Sequence, residues 1–171
     1  YIRKLIKAGH KVAICDQTSD PSLPGIVERA VTRIVTPGTL LSDADDQQIR
    51  LLAAINQHQG FWSIMFCNVS TGEISPGHGQ TLPDIIDQIR IRFPQEVLVT
   101  ESGKNSLEPL LEQSNLPTIL TIVPQGQAPE MMIAHYIAHT QQSEASHLFR
   151  DQQSTIPTVL LDEMTVRNLE L

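Results

Sequence analysis

The chain has 171 residues, of which 40% are apolar, and its formal net charge at pH 7 is -7. This length allows one ordinary domain with a further piece attached at an end. The acidic balance argues against a module that grips phosphate backbones by itself, because such modules are usually basic. No apolar run is long enough to cross a bilayer and no leader pattern occurs, so we expect a soluble, unexported protein without a membrane partner.

The first part of the chain predicts one helix, two strands and a turn. Residues 1–8 carry a helical apolar stripe, and Gly9 suits the end of that helix. Residues 11–16 (KVAICD) are typical of a short buried strand, and 27–35 of a second extended segment. Residues 36–39 (Thr-Pro-Gly-Thr) predict a turn. Because this part has too little apolar material for its own core, we interpret it as the tail of a preceding α/β domain.

The chain continues around a strand that is apolar on both faces. Strand side chains alternate between faces, which separates two sets within 61–69. A strand of this kind belongs inside a sheet that is covered above and below. Residues 50–57 fit either a helix or a strand, and we favour a strand antiparallel to 61–69. The two sets are Trp62, Ile64 and Phe66 on one face, and Phe61, Met65, Cys67 and Val69 on the other.

The segments after Thr71-Gly72, where a turn is expected, alternate between helix and strand. Their order predicts an α/β fold of the ribonuclease-H-like type, with a mixed sheet covered by helices on both faces. The first predicted segments are a short strand before Pro76 and a helix over 81–93, with a Thr81–Asp84 capping box and Phe93 on its apolar stripe. A strand over 96–100 and a short helix follow, and that helix is capped by Ser106 with Pro109 in its first turn. The last predicted segments are a strand over 118–123 and a helix from Pro129.

The last part of the chain predicts a linker and a new helix. Residues 143–157 are polar and irregular, which is typical of a linker. Residues 158–161 form a short apolar run, and Asp162 then suits the N-cap of another helix.

The cysteines and histidines offer little chemistry. Cys15 and Cys67 both lie in apolar, strand-like surroundings, which predicts buried thiols in a reducing compartment. His135 and His139 are one helical turn apart, a spacing that can bind zinc. The catalytic form of that motif needs a glutamate where Tyr136 stands, and no third ligand is evident, so we assign no metal site.

Nuclease and nucleotide chemistry are also disfavoured. A ribonuclease-H-like enzyme holds two metal ions with carboxylates on its first strand and first helix. The strand at 50–57 has no acid, and Asp84 and Asp87 suit a helix cap and a solvent-exposed face. Gly77-His-Gly79 is not followed by a lysine and predicts a turn rather than a phosphate loop. We therefore assign no catalytic, cofactor-binding or metal-binding residue.

Four stretches together resemble the MutS family of bacterial DNA mismatch-recognition ATPases. They are 1–17 (YIRKLIKAGHKVAICDQ), 31–41 (VTRIVTPGTLL), 68–73 (NVSTGE) and 161–171 (LDEMTVRNLEL). The resemblance implies that 1–37 end a mismatch-binding domain, that 38–156 form a ribonuclease-H-like connector domain, and that 157–171 begin a core or lever domain. It also favours a strand for 50–57.

The resemblance implies a mechanical role. The connector would couple the mismatched-DNA site to the levers and ATPase and offer surface to the partner MutL. No functional residue of the family can be carried over, so this part is not expected to be an enzyme. ATP and magnesium are expected only for the longer, homodimeric, cytoplasmic protein of which this chain would be a piece. The chain departs from the family at Asp16, Asn68 and Val166, and it is short at 121–130, where the family has an insertion.

Two other hypotheses remain. The chain could be a divergent ribonuclease-H-like, metal-dependent nuclease, for which magnesium- or manganese-dependent cleavage lost on Asp84→Ala or Asp87→Ala would be the sign. It could also be an unrelated small α/β binding protein, which a natural reading frame ending at Leu171 would favour.

Overall fold

The computed structural model describes residues 1–20, 26–40, 50–124 and 128–141, in an α/β arrangement. The predicted linker at 143–157, the apolar run at 158–161 and the helix from Asp162 lie outside these residues. The elements are α1 (Ile2–Lys7), β1 (Val12–Gln17), β2 (Arg29–Val35), β3 (Leu51–His58), β4 (Phe61–Asn68), β5 (Glu73–Pro76), α2 (Leu82–Arg92), β6 (Glu96–Val99), α3 (Glu101–Gln113), β7 (Ile119–Ile122) and α4 (Pro129–Gln141).

A mixed five-stranded sheet forms the centre of the fold, in the order β5-β4-β3-β6-β7. Strands β3, β4 and β5 pair antiparallel, and β6 and β7 run parallel to β3. The predicted succession of three antiparallel strands followed by alternating helices and strands is therefore confirmed. We call β3 to β7 with α2 to α4 the sheet domain.

Each face of the sheet has its own apolar layer, because side chains alternate along the inner strands. The prediction that β4 is covered on both faces is confirmed. One layer contains Ala53, Ile55, Trp62, Ile64, Phe66, Ile85, Ile86, Ile89, Val97, Val99, Leu107 and Leu111, from the strands, α2 and α3. The opposite layer contains Leu52, Ala54, Cys67, Leu98, Met132, Ile133 and Ile137, from the strands and α4.

Two phenylalanines that were predicted to face inward are exposed. Phe61 is 59% exposed because it lies at the tip of the β3–β4 hairpin, beyond the covering helices. Phe93 is 57% exposed because it adopts a left-handed backbone conformation (φ 48°), which ends α2 and takes the side chain off its apolar stripe. The Thr81–Asp84 capping box at the start of α2 is confirmed.

Helix α3 begins earlier than predicted. Its N-cap is Thr100, whose Oγ1 accepts a hydrogen bond from the Gly103 backbone N–H at 3.1 Å, so the helix starts as soon as β6 ends. The prediction that Ser106 caps the helix is therefore wrong, and Pro109 lies inside the helix rather than in its first turn. The burial of Leu107 and Leu111 against the sheet outweighs the backbone hydrogen bond that Pro109 cannot donate.

The first part of the chain forms a small unit of α1, a two-stranded antiparallel sheet of β1 and β2, and the predicted turn at 36–39. We call this the N-terminal unit. The prediction of a buried strand at 11–16 is wrong, because β1 is mostly exposed and, among the described strands, pairs with β2 alone. Cys15 is accordingly exposed, whereas Cys67 is buried as predicted. Strand β2 packs against α4, which attaches the unit to the sheet domain.

None of the helices within the described residues is long and apolar enough to cross a membrane.

Candidate functional site

The most unusual feature of the interior is a fully buried carboxyl group. Glu96 is the first residue of β6, whose four residues (Glu-Val-Leu-Val) are all buried. Alternation along the strand directs Val97 and Val99 toward α2 and α3, and Glu96 and Leu98 toward the opposite face. The side chain of Glu96 is thereby placed where the sheet, α4 and the N-terminal unit meet, and its exposure is 0%.

Four hydrogen bonds converge on this carboxyl group from three parts of the fold. The Thr36 hydroxyl and the Gly38 backbone N–H, both in the N-terminal unit, donate to Oε2 at 2.6 and 2.9 Å. The Thr121 hydroxyl of β7 and the Tyr136 hydroxyl of α4 donate to Oε1 at 2.5 and 2.7 Å. Because every partner is a donor, the group fits an acceptor-only carboxylate whose lone pairs are all used.

Lys11 adds a positive charge at the edge of this arrangement. Its Nζ lies 3.8 Å from Glu96 Oε1 and 5.6 Å from the centre of the Tyr136 ring. The lysine side chain is 45% exposed, whereas Glu96 is not exposed at all. Lys11 therefore offsets the buried negative charge from the solvent side, and we call these six residues, Lys11, Thr36, Gly38, Glu96, Thr121 and Tyr136, the Glu96 network.

The turn of the N-terminal unit is shaped to reach the carboxylate. The Thr36 backbone N–H donates to Thr39 Oγ1 at 3.0 Å, and the two threonine hydroxyls lie 2.8 Å apart. Gly38 approaches so closely that an added Cβ would lie 2.8 Å from Glu96 Cβ and from Leu52 Cδ1. Position 38 thus requires glycine for space, because any side chain would push the turn off the sheet.

Burial also fixes the protonation of the tyrosine. Burial raises the pKa of Tyr136, and the neighbouring negative charge of Glu96 together with their hydrogen bond raises it further. The phenol therefore keeps its proton at physiological pH and serves as a donor. The Glu96 network can hold the N-terminal unit, β7 and α4 together, but its buried carboxylate leaves no space for a substrate.

The residues weighed for nuclease chemistry have structural roles. Asp84 Oδ2 accepts hydrogen bonds from the Thr81 hydroxyl at 2.6 Å and from the Thr81 backbone N–H at 2.9 Å. These bonds lower the pKa of Asp84. Asp87 Oδ1 accepts from Arg90 Nη1 at 2.8 Å on the exposed side of α2. Neither carboxylate faces an acid on β3, since that strand carries none.

The two histidines of α4 line one open cleft together with Lys11. Across residues 1–20, 26–40, 50–124 and 128–141, no three His, Cys, Asp or Glu side chains are grouped so that they could hold a metal ion. His135 and His139 therefore have no third ligand among these residues.

Sequence reasoning missed Glu96. The feature that could have indicated it is that Glu96 is the first residue of a four-residue strand whose other residues are apolar. A charged residue in a buried strand needs hydrogen-bonding partners. Its partners Thr36 and Gly38 are 60 and 58 positions away, so they could not be identified from local pattern.

Comparisons with known proteins agree along the chain. A family model described as MutS domain I matches residues 1–44. The DNA mismatch repair protein MutS of Staphylococcus saprophyticus is 32% identical over 195 residues, which cover 100% of this chain and 21% of that protein. The proteins of the same name from Staphylococcus aureus strains JH9 and Newman are 32% identical over 192 residues, covering 100% of this chain and 22% of each. The chain thus spans about a fifth of the length of the curated relatives it matches.

Proposed function

Because this chain belongs to the MutS family of DNA mismatch repair proteins, we propose that it couples the mismatched-DNA site of the intact protein to its ATPase and performs no reaction itself. In this proposal 1–37 complete a mismatch-binding domain, 38–156 form the connector domain, and 157–171 begin the core or lever domain. The end of the family-model match at residue 44 supports a boundary close to residue 37.

The sheet domain supports the ribonuclease-H-like part of the proposal. Its strands lie in the order β5-β4-β3-β6-β7, with the three antiparallel strands first in the chain and the two parallel strands after them. Helices cover both faces of this sheet. A sheet packed on both sides deforms little, because close-packed interiors have low compressibility, so it is suited to transmit displacement.

The Glu96 network is the observation that carries the coupling role. A displacement of the N-terminal unit would pull on Thr36 and Gly38, which bind one carboxylate oxygen. The other oxygen holds Tyr136 of α4, the helix after which the chain continues toward the proposed lever. One side chain, that of Glu96, therefore connects the N-terminal unit to α4, the last described helix before the proposed lever.

The test uses the intact protein that contains this chain. Glu96→Gln keeps the size of the side chain but replaces two of the accepting lone pairs by N–H donors. We expect mismatched duplex DNA to bind with nearly unchanged affinity, while the response of ATP hydrolysis to a mismatch is largely lost. Glu112→Gln, which changes an exposed glutamate on α3, serves as the matched control and should behave as the wild type. An unchanged ATPase response in Glu96→Gln would refute coupling through this network.

The remaining parts of the proposal concern the intact protein. It would bind mismatched duplex DNA, hydrolyse ATP with magnesium outside this chain, act as a homodimer in the cytoplasm, and contact MutL through the connector. Analytical ultracentrifugation of the intact protein with and without MutL would test the last two associations. The names of the matched relatives support the repair role.

A further inference from the structure

A cleft opens where the start of β1, the end of β7 and the outer side of α4 meet. Its volume is about 450 Å³, within the range of about 300–1,000 Å³ typical of ligand sites. Its walls are mainly apolar and include several polar side chains. The lining residues are Lys11, Thr121, Ile122, Val123, Pro124, Met132, His135, Tyr136 and His139.

The cleft is lined by basic side chains although the chain as a whole is acidic. The whole chain carries a formal net charge of -7. Yet the described residues that line the cleft include three basic side chains, Lys11, His135 and His139, and no aspartate or glutamate. Glu96 lies nearby but is fully buried and already accepts four hydrogen bonds. The cleft is therefore suited to carboxylates, which accept hydrogen bonds from ammonium and imidazole N–H groups.

The cleft also adjoins the outer edge of β7, with which no strand pairs within the part of the chain that the structure describes. Strand β7 is the last strand in the sheet order and pairs with β6. The Ile119 backbone N–H donates to the carbonyl oxygen of Gln95, the residue before β6, at 3.3 Å, and the Val123 N–H donates to that of Val99 in β6 at 2.9 Å. Because N–H directions alternate along a strand, the N–H of Ile122 points away from β6. Ile122 lines the cleft and is 47% exposed, so a further strand can pair there.

We propose that this cleft binds an extended peptide segment bearing carboxylates, which pairs with the outer edge of β7 while its acidic side chains meet Lys11 and His135. Main-chain pairing supplies the affinity and the basic side chains select for acidic residues, as in other cases of strand addition. A nucleic acid backbone is a poorer match, because Lys11 is the lone fixed positive charge among the described lining residues and the walls are apolar. This binding role goes beyond the coupling role and does not depend on it.

The test measures peptide binding to the full 171-residue chain by fluorescence anisotropy. The probe is a labelled peptide of alternating glutamate and valine, and the matched probe has glutamine in place of each glutamate. We expect saturable binding of the acidic peptide, weakened by salt, and binding about tenfold weaker for the glutamine peptide, as for the loss of a charge-assisted hydrogen bond. A single-stranded oligonucleotide is measured under the same conditions.

Two variants and one control connect binding to the proposed site. Ile122→Pro removes the outward N–H without removing a hydrogen bond to β6, so the chain should stay folded while peptide binding is largely lost. Ile122→Val is the matched control and should bind as the wild type. His135→Ala changes an exposed side chain and should weaken binding of the acidic peptide more than that of the glutamine peptide.

Several results would overturn the proposal. Equal binding of both peptides, no saturable binding, or full binding by a folded Ile122→Pro chain would each do so. Preferential binding of the oligonucleotide would assign the cleft to nucleic acid instead. Self-association that disappears in Ile122→Pro would assign the edge to a second copy of the chain. Thermal unfolding of each variant establishes that it is folded.

Discussion

Replacing Glu96 by glutamine tests the energetics of the buried network. The amide would direct its oxygen toward Thr36 and Gly38, because the Gly38 backbone N–H can only donate. Its NH₂ group would then face the Thr121 and Tyr136 hydroxyls, which donate to Glu96 in the wild type. Both hydroxyls would lose their acceptor, and Lys11 would lose the negative charge beside it.

The magnitude follows from these two lost acceptors. A buried polar group left without its partner costs about 1–3 kcal/mol, but each hydroxyl can still accept from the new NH₂ group, so we expect Glu96→Gln to lower the free energy of unfolding by about 2–4 kcal/mol. For a chain of this size each kcal/mol lowers the Tm by about 2–4 °C, which gives a decrease of about 4–16 °C. Tyr136→Phe removes one donor and leaves the carboxylate three, so its cost should be about 1.5–3 kcal/mol.

Urea unfolding followed by circular dichroism measures these differences, with Glu112→Gln as the control for loss of a negative charge. In Glu96→Gln, the cost of removing the Tyr136 hydroxyl should be smaller than in the wild type, because the two residues share one network. A change below about 0.5 kcal/mol for Glu96→Gln, the range of ordinary surface substitutions, would refute the reasoning.

Three further predictions concern other positions. Gly38→Ala should destabilise the chain by about 1–3 kcal/mol through overpacking, measured by the same unfolding assay, and an unchanged midpoint would contradict the close approach. Hydrogen bonds from Thr81 lower the pKa of Asp84. The ionised carboxylate therefore stabilises the chain fully at pH values above the ordinary carboxyl pKa, and this stabilisation is lost as the pH falls through the lowered pKa. The Tm difference between wild type and Asp84→Asn should thus be full at neutral pH and shrink in acid; a difference independent of pH would exclude this linkage. Burial raises the pKa of Cys67 to about 11, so iodoacetamide should modify Cys15 in the folded chain and Cys67 only after unfolding, as read by mass spectrometry.

The sequence predicted the elements of the sheet domain well, because their patterns are local. The two-faced strand β4 and the amphipathic helix α2 with its capping box depend on periodicity and on residues within one turn. Antiparallel pairing of β3 with β4 followed from their short connection. The start of α3 was predicted too late, because Pro109 suggested a first helical turn while Thr100 already supplied the cap.

Errors and omissions arose where distant segments meet. The exposure of Cys15 depends on what covers β1, and alternation of apolar residues along a strand does not reveal whether a second layer is present. The Glu96 network brings together residues from the N-terminal unit, β6, β7 and α4, of which each alone has ordinary neighbours. The residues that carry the proposed function were therefore outside the reach of local patterns.

A spin-label distance between the two units tests most directly whether Glu96 holds them together. One label is attached to Cys15, which is exposed on β1, and a second to Glu112→Cys on α3, while the buried Cys67 stays unlabelled. With Glu96 in place we predict one narrow distance distribution by double electron–electron resonance, and with Glu96→Gln a markedly broader one. An equally narrow distribution in both proteins would contradict the account.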